Sequence, residues 1–309
     1  LYSSLVMSND NDLTKSITLD YENRLKAIFE DFHAHPELSL AEFETAKKIS
    51  TALKNHGFTV TENVGGTGVV ALLKNGKGPL VMMRADMDGL PLEEKTDLPY
   101  ASKDKQLDPV TGNIFPVMHA CGHDVHITAL IGTAKQMVDL KSEWSGTLML
   151  IAQPAEERVL GARNMMNDNL WERFGKPDYA LAFHVSSMLP SGIVNVVDGS
   201  PYAGADTVDI YVHGIGAHGA SPHAGKDPIV LGSQIVNSLQ TLVSRELPPR
   251  QPGVVTVGAF HSGTKHNIIS DMAHLQLTVR NTNDKTRDTL LSGIKRISEN
   301  LGRAAGLPE

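Results

Sequence analysis

Val69-Val70-Ala71-Leu72-Leu73-Lys74-Asn75-Gly76-Lys77-Gly78-Pro79-Leu80-Val81-Met82-Met83 sets two apolar runs around a turn. Asn-Gly between two such runs is a hairpin signal, so Asn75-Gly76 predicts a chain reversal that pairs them. The second run is continuous rather than alternating, which suits a strand covered on both faces. Upstream, Leu25, Ile28, Phe29 and Phe32 recur at helical spacing, and Phe43, Ala46, Ile49 and Leu53 do so again before Gly57. Downstream, Ile127, Leu130, Ile131 and Ala134 predict a helix, while Leu148 to Ile151 and Tyr179 to Phe183 read as further strands. Strand and helix in alternation is the pattern of an α/β domain.

A composition shift at Asp198-Gly199-Ser200-Pro201 marks an expected boundary, giving domains over 13–200 and 201–309. Beyond it, Thr207 to Val212 alternates as a strand and Ile229 to Leu247 reads as a helix, broken by Pro248-Pro249-Arg250-Gln251-Pro252-Gly253. Val254 to Phe260 and His274 to Arg280 are strands, and Thr286 to Ala305 is a second helix. Strand, helix, strand, strand, helix is most of a ferredoxin-like unit, lacking its closing strand.

The chemistry concentrates where chain leaves the apolar strands. His119, Cys121, His123 and His126 crowd a short stretch, Glu156-Glu157 follow Leu148-Met149-Leu150-Ile151, and His184 follows the run that begins at Tyr179. Thiolate, imidazole and carboxylate are the donors a borderline-soft divalent ion such as zinc prefers, and a spare carboxylate beside a ligand supplies a base for hydrolysis. Ligands at strand ends match where open α/β sheets place their sites. Taken singly, the lone cysteine also suits an inert buried position and the glutamate pair a solvated charge run. The grouping favours a metal site.

Met83-Arg84-Ala85-Asp86-Met87-Asp88-Gly89-Leu90-Pro91, His119-Ala120-Cys121-Gly122-His123-Asp124, Gln153-Pro154-Ala155-Glu156-Glu157 and Gly216-Ala217-His218-Gly219-Ala220-Ser221-Pro222-His223 resemble, in that order, the amidohydrolase branch of the aminoacylase and carboxypeptidase G superfamily. Hippurate hydrolases, N-acyl-amino-acid deacetylases and indole-acetyl-amino-acid hydrolases belong to that branch. The resemblance implies a zinc-peptidase-like, mixed-sheet α/β catalytic domain with an inserted ferredoxin-like α+β lid that also dimerises the protein. It implies hydrolysis of N-acyl amino acids at a dinuclear centre of two divalent metal ions, zinc or manganese.

By the same resemblance, Cys121, His123, Glu157 and His184 are metal ligands, Glu156 is the general base for the attacking water, and Asp86 supports a ligand by a hydrogen bond. His218 would reach the active site of a partner subunit and stabilise the oxyanion, a role worth roughly 3–4 kcal/mol of barrier. Asn267 and Arg280 resemble positions that hold the substrate carboxylate, and His223 lines the same pocket. His119 and His126, which flank the metal motif, stand outside this expected site as supports. Relatives continue past the point where this sequence stops, with residues that finish the lid and add a last ligating histidine. The expectation is therefore a chain whose C-terminal part is missing, which binds metal incompletely and which, as a fragment, can be inactive. Two departures bear on specificity: Arg158 stands where relatives usually have glycine, and Asp104 to Phe115 looks like an insertion.

Composition narrows the partners. With 309 residues of which 41% are hydrophobic, the chain can fill two cores. A net charge of −7 without a basic stripe argues against nucleic acid or an anionic membrane. No apolar stretch approaches the roughly 18 residues of a membrane helix. A single cysteine forbids an internal disulfide and permits a reducing compartment, so the cytoplasm is the expected location. Leu1 to Ser8 lacks the features of a signal peptide, although export stays open if the sequence is a processed product. Two alternative classes remain: a cysteine hydrolase using Cys121 with a distant histidine, and a non-catalytic binding or dimerisation module.

Overall fold

The computed structural model describes residues 9–198 and 202–307, in two compact units, Leu1–Pro190 and Ser191–Glu309. Leu1 to Ser8 and the Gly199-Ser200-Pro201 part of the expected junction lie outside the described residues.

In the first unit, helix α1 (Asn9–Asp20) runs through a wide turn into α2 (Lys26–Ala34), and α3 (Phe43–Asn55) precedes the sheet. The sheet contains β1 (Thr59–Val64), β2 (Gly68–Asn75), β3 (Leu80–Asp86), β6 (Gly146–Gln153) and β7 (Tyr179–Ala182), in the order β1-β2-β6-β3-β7. β1, β2 and β6 pair antiparallel, while β6, β3 and β7 run parallel, so the sheet is mixed. Period-two alternation explains the unbroken apolar runs. Val69, Ala71 and Leu73 of β2 and Leu148, Leu150 and Ala152 of β6 pack with Ile49, Leu53 and the α4 (His123–Asp139) residues Ile127, Leu130 and Ile131. The intervening Val70, Met149 and Ile151 face the other way, onto Met165 of α5 (Gly161–Asn167) and Leu170 of α6 (Leu170–Phe174). Each fully buried aliphatic chain of this kind is worth about 1.5–3 kcal/mol of transfer free energy.

Two local expectations are corrected. Asn75-Gly76 turns the chain, but β2 and β3 do not pair, because β6 lies between them. The Asn75 side chain donates to the carbonyls of Lys141 and Trp144, so the turn is fastened to the approach to β6 rather than closed on itself. Phe43, assigned to an apolar helix face, is 63% exposed; Ala46, Ile49 and Leu53 carry that face.

The connection from β3 to β6 includes the small hairpin of β4 (Lys105–Leu107) and β5 (Ile114–Pro116), which spans most of the Asp104–Phe115 stretch and ends one residue beyond it, and then α4. Because β3, β6 and β7 are parallel, with Asp86 opposite Gln153 and Arg84 opposite Ala182, their C-terminal ends open on one side. The segments that follow them carry Asp86-Met87-Asp88, Pro154 to Glu157, and His184.

The second unit has β8 (Gly204–His213), α7 (Pro228–Thr241), β10 (Gly253–Ser262), β12 (Met272–Asn281) and α8 (Asp284–Ala304), with a short pair formed by β9 (Ala217–His218) and β11 (Ile268–Ile269). The antiparallel sheet has the order β10-β12-β8. Ala273, Leu275, Leu277 and Val279 of β12 pack with Leu231, Ile235 and Leu239 of α7 and Leu290 and Ile294 of α8, so both helices cover one face.

Candidate metal centre

His123 opens α4 directly after Gly122, whose φ of 77° is a left-handed conformation that glycine adopts without strain. A Cβ there would lie 2.4 Å from Val185 Cγ2, so the tight turn also keeps the chain close to the segment after β7. The His123 ring is wholly buried. Its Nδ1 donates to the Asp88 carbonyl at 2.8 Å, and the Asp88 carboxylate stands 3.3 Å away. That fixes Nε2 as the atom with the lone pair. Nε2 looks toward Asp86 Oδ2 at 3.6 Å and Glu156 Oε2 and Glu157 Oε1 at 3.9 Å each. Cys121 Sγ is 3.4 Å from His184 Nε2.

These atoms form two overlapping donor groups, Cys121-His123-Glu157 and Asp86-His123-His126-His184, each with its atoms within 4.8 Å of one another. Their chemistry calls for a cation. His123 Nε2 and Glu157 Oε1 are buried with no hydrogen-bond partner among the described residues, a costly arrangement for acceptors facing acceptors. Burial and the neighbouring Glu157 push the Cys121 thiol up to about 12, so the thiolate needs a positive charge beside it. The helix start does not lower it. Burial also raises the Glu157 carboxyl, against the pull of His123. Burial works against protonation of His123, but the bond to Asp88 and the Asp86 charge outweigh it and raise its pKa. The residues present therefore fit a divalent ion shared among sulfur, nitrogen and oxygen donors.

His126 has a different place from the other imidazoles. Its Nδ1 meets Asp86 Oδ1 at 2.5 Å, and its Nε2 accepts the Val185 amide at 3.0 Å, so both nitrogens are committed. Asp86 also takes the Arg84 guanidinium at 2.5 Å, while Arg84 Nε bonds Gln153. Burial would raise the Asp86 carboxyl, but the His126 bond and the Arg84 charge hold it well below the usual carboxylate range. A chain of contacts from Arg84 through Asp86 and His126 to Val185 thus fixes the segment that carries His184. The sequence places His126 only as a support flanking the metal motif; its partners, Asp86 and the Val185 amide, are set by the fold. His119 is 5% exposed, has no partner at either ring nitrogen among the described residues, and burial lowers its pKa to about 4.

Glu156 and Glu157 sit on a turn held by buried carboxylates. Ala155 N donates to Glu42 Oε1 at 2.7 Å and Glu157 N to Asp88 Oδ2 at 3.1 Å. The Glu156 side chain is 39% exposed and that of Glu157 20%, so the former is the more accessible acid.

The remaining expected site residues lie in the second unit. His218 and Asn267 line one cleft, where β9 pairs with β11 and Gly219 N donates to the Asn267 carbonyl at 2.8 Å. His218 Nδ1 accepts the Ala220 amide at 3.1 Å. His223 belongs to the turn Pro222–Ala224. Arg280 is exposed, with Nη1 on Thr278 Oγ1 at 2.9 Å. It sits near the end of β12 away from Met272, which is eight residues earlier, or ~26 Å at strand rise. The structure brings His218 and Asn267 together and leaves Arg280 at the other end of the sheet.

A mixed α/β sheet with sulfur, imidazole and carboxylate donors gathered beside the ends of its parallel strands is the arrangement of a metal-binding enzyme site. The chain matches peptidase family M20/M25/M40 over residues 82–287 and belongs to that family, whose members are metal-dependent amidohydrolases and metallopeptidases. It is 38% identical over 287 residues to the hippurate hydrolase of Campylobacter jejuni, covering 93% of this chain and 72% of that one. A solved Staphylococcus aureus structure superposes with a TM-score of 0.86 at 35% identity, covering 96% of this chain and 76% of that one. A Bacillus subtilis dinuclear metal binding peptidase of the same family gives a TM-score of 0.73 at 32% identity, covering 93% and 72%. Among the described residues no helix is long and apolar enough to cross a membrane.

Proposed function

We propose that this chain hydrolyses the amide bond of N-acyl amino acids at a centre holding two divalent metal ions, zinc or manganese. The observation that carries the reading is the buried, unpartnered Nε2 of His123 facing the Glu156 and Glu157 carboxylates at 3.9 Å. Cys121, His123, Glu157 and His184 would hold the ions. When bound, they supply Lewis acidity, easing deprotonation of water and drawing electron density from the scissile carbonyl. Glu156, the more exposed acid of the pair, accepts the proton of the attacking water and returns it to the departing amine. Asp86 acts through His126 to keep the His184 segment in place. The Campylobacter jejuni hippurate hydrolase supports an acylated amino acid as substrate, hippurate being N-benzoylglycine.

In this reading the second unit, 201–309 by sequence, is an α+β lid of ferredoxin-like order through which two copies dimerise. His218 would donate to the developing oxyanion in the partner subunit, with Asn267 beside it in the same cleft. Arg280 and His223 are the further candidates for the substrate carboxylate; the position of Arg280 on β12 means that it would serve a different part of the pocket from Asn267. A cysteine hydrolase is not favoured, since a thiol pushed up to about 12 offers little thiolate at neutral pH. Hydrolysis of a panel of N-acyl amino acids, N-benzoylglycine included, tests the reading with zinc or manganese added and then removed by a chelator. Chelator-sensitive amide cleavage that Glu156→Gln abolishes, while metal content is retained, is expected. Cleavage that survives complete metal removal would overturn it.

A further inference from the structure

The turn from Pro154 to Leu160 is held in a backbone shape that its own residues disfavour. Ala155 has φ 45° and Val159 φ 54°, left-handed values that a β-branched valine in particular rarely adopts. Such a conformation persists only where the surroundings impose it. Two of its fastenings come from buried carboxylates outside it, Glu42 at the start of α3 on Ala155 N and Asp88 after β3 on Glu157 N. Within the turn Val159 N donates to the Glu156 carbonyl at 2.7 Å and Leu160 N to the Ala155 carbonyl at 3.2 Å; the third fastening from outside is on the side chain of Arg158, whose Nη2 donates to Asp108 Oδ1 at 2.7 Å.

Asp108 is itself fastened. It is 3% exposed, and it accepts the Val110 amide at 3.0 Å and the Thr111 hydroxyl at 2.9 Å across the turn that joins β4 to β5. The hairpin is fixed at its other side by Gln106, whose amide accepts from Leu38 N at 2.6 Å and donates to the Ala41 carbonyl at 2.9 Å. Arg158 and the β4–β5 hairpin are thus bonded to each other, next to Glu157.

We propose that the Arg158–Asp108 ion pair is a latch by which the β4–β5 hairpin holds the Glu156–Glu157 turn in its metal-binding shape, making Arg158 a positioning residue of the centre. The proposal rests on the reading of Glu157 as a metal ligand. Only one guanidinium nitrogen engages Asp108, so a lysine ammonium can replace it, whereas a neutral amide loses the charge that makes the bond strong. Without the latch, the strained turn relaxes and Glu157 no longer stands ready for the ion.

The test compares Arg158→Gln, Arg158→Lys and Glu157→Ala with the native chain by zinc competition against a chromogenic chelator, and by amide hydrogen exchange of the metal-free proteins. Arg158→Gln is expected to weaken zinc binding by at least about tenfold, the usual effect of losing a support behind a ligand, and to speed exchange at Glu157 and Val159 while exchange in β2 and β6 stays native. Arg158→Lys is expected to bind zinc within about threefold of native. Native zinc affinity and native exchange in Arg158→Gln would overturn the latch. If Glu157→Ala keeps native zinc affinity, the ligand reading itself fails; if Glu157→Ala loses zinc and Arg158→Gln does not, the latch alone fails.

Discussion

Replacing Asp86 by asparagine keeps the side chain's shape and removes its charge where the metal centre is fastened to the sheet. The Asp86 carboxylate is 0% exposed and accepts from His126 Nδ1 and Arg84 Nη1, each at 2.5 Å. An asparagine offers one oxygen, so one of the two donors must then face an amide N–H. Losing a hydrogen bond to a charged group costs about 1.5–3 kcal/mol and leaving a buried donor unmet a further ~1–3 kcal/mol. Because the Arg84 side chain is 21% exposed and partly hydrated, the lower part of that range applies, about 3 kcal/mol. The folded-state pKa of Asp86 is depressed, so the carboxylate's contribution is present above the unfolded value of 3.8 and is lost as pH falls below it. At pH 7 the full difference is expected. Urea unfolding of the metal-free proteins, followed by tryptophan fluorescence, reads the first unit directly, since Trp144 and Trp171 both lie there. Zinc affinity should fall roughly 10–100-fold, because His126 no longer holds the Val185 segment. A stability change below about 1 kcal/mol together with native zinc affinity would refute the chain of contacts from Arg84 to Val185.

Other perturbations probe separate parts of the account. Cys121→Ala should lose bound metal, and the thiol of the metal-free native chain should react only slowly with a disulfide reagent at pH 8, as a value near 12 requires; rapid reaction would contradict the crowding by Glu157. His33 is clamped by Asp124 at 2.7 Å and Glu94 at 2.9 Å, and these acids outweigh burial and raise its pKa. Its stabilisation is thus complete below the unfolded value of 6.5 and is lost as pH rises through the folded value. His33→Gln should flatten that part of the stability-against-pH curve of the metal-free protein, and an unchanged slope would count against the clamp. Gly161→Ala should destabilise by roughly 3 kcal/mol or prevent folding, since its Cβ would sit 1.5 Å from the Pro154 carbonyl oxygen, and native thermal stability would refute that packing.

Residue patterning exposed the sheet where burial is symmetrical. Val69 to Leu73 and Leu148 to Ile151 are apolar throughout because both faces of β2 and β6 are covered, and Cys121-Gly122-His123 was legible because a metal centre needs uncommon residue types close together. Strand order was not legible. Asn75-Gly76 marks a turn equally well whether the next strand pairs locally or waits for β6, a choice made by parallel pairing across α4. His126 was legible as a support but not by its partners, because one of them is the Val185 amide, distant in sequence. The partnership of Arg158 with Asp108 was hidden for the same reason: each residue stood out alone, and only the folded hairpin joins them.

The proposed centre has Cys121, His123, Glu157 and His184 sharing bound cations. Crystals of the zinc-loaded protein measured at the zinc absorption edge would show this most directly. Anomalous density at ~2.3 Å from Cys121 Sγ and ~2.0–2.2 Å from His123 Nε2 and a Glu157 oxygen is the predicted result. Zinc bound elsewhere, with these side chains empty between them, would contradict it.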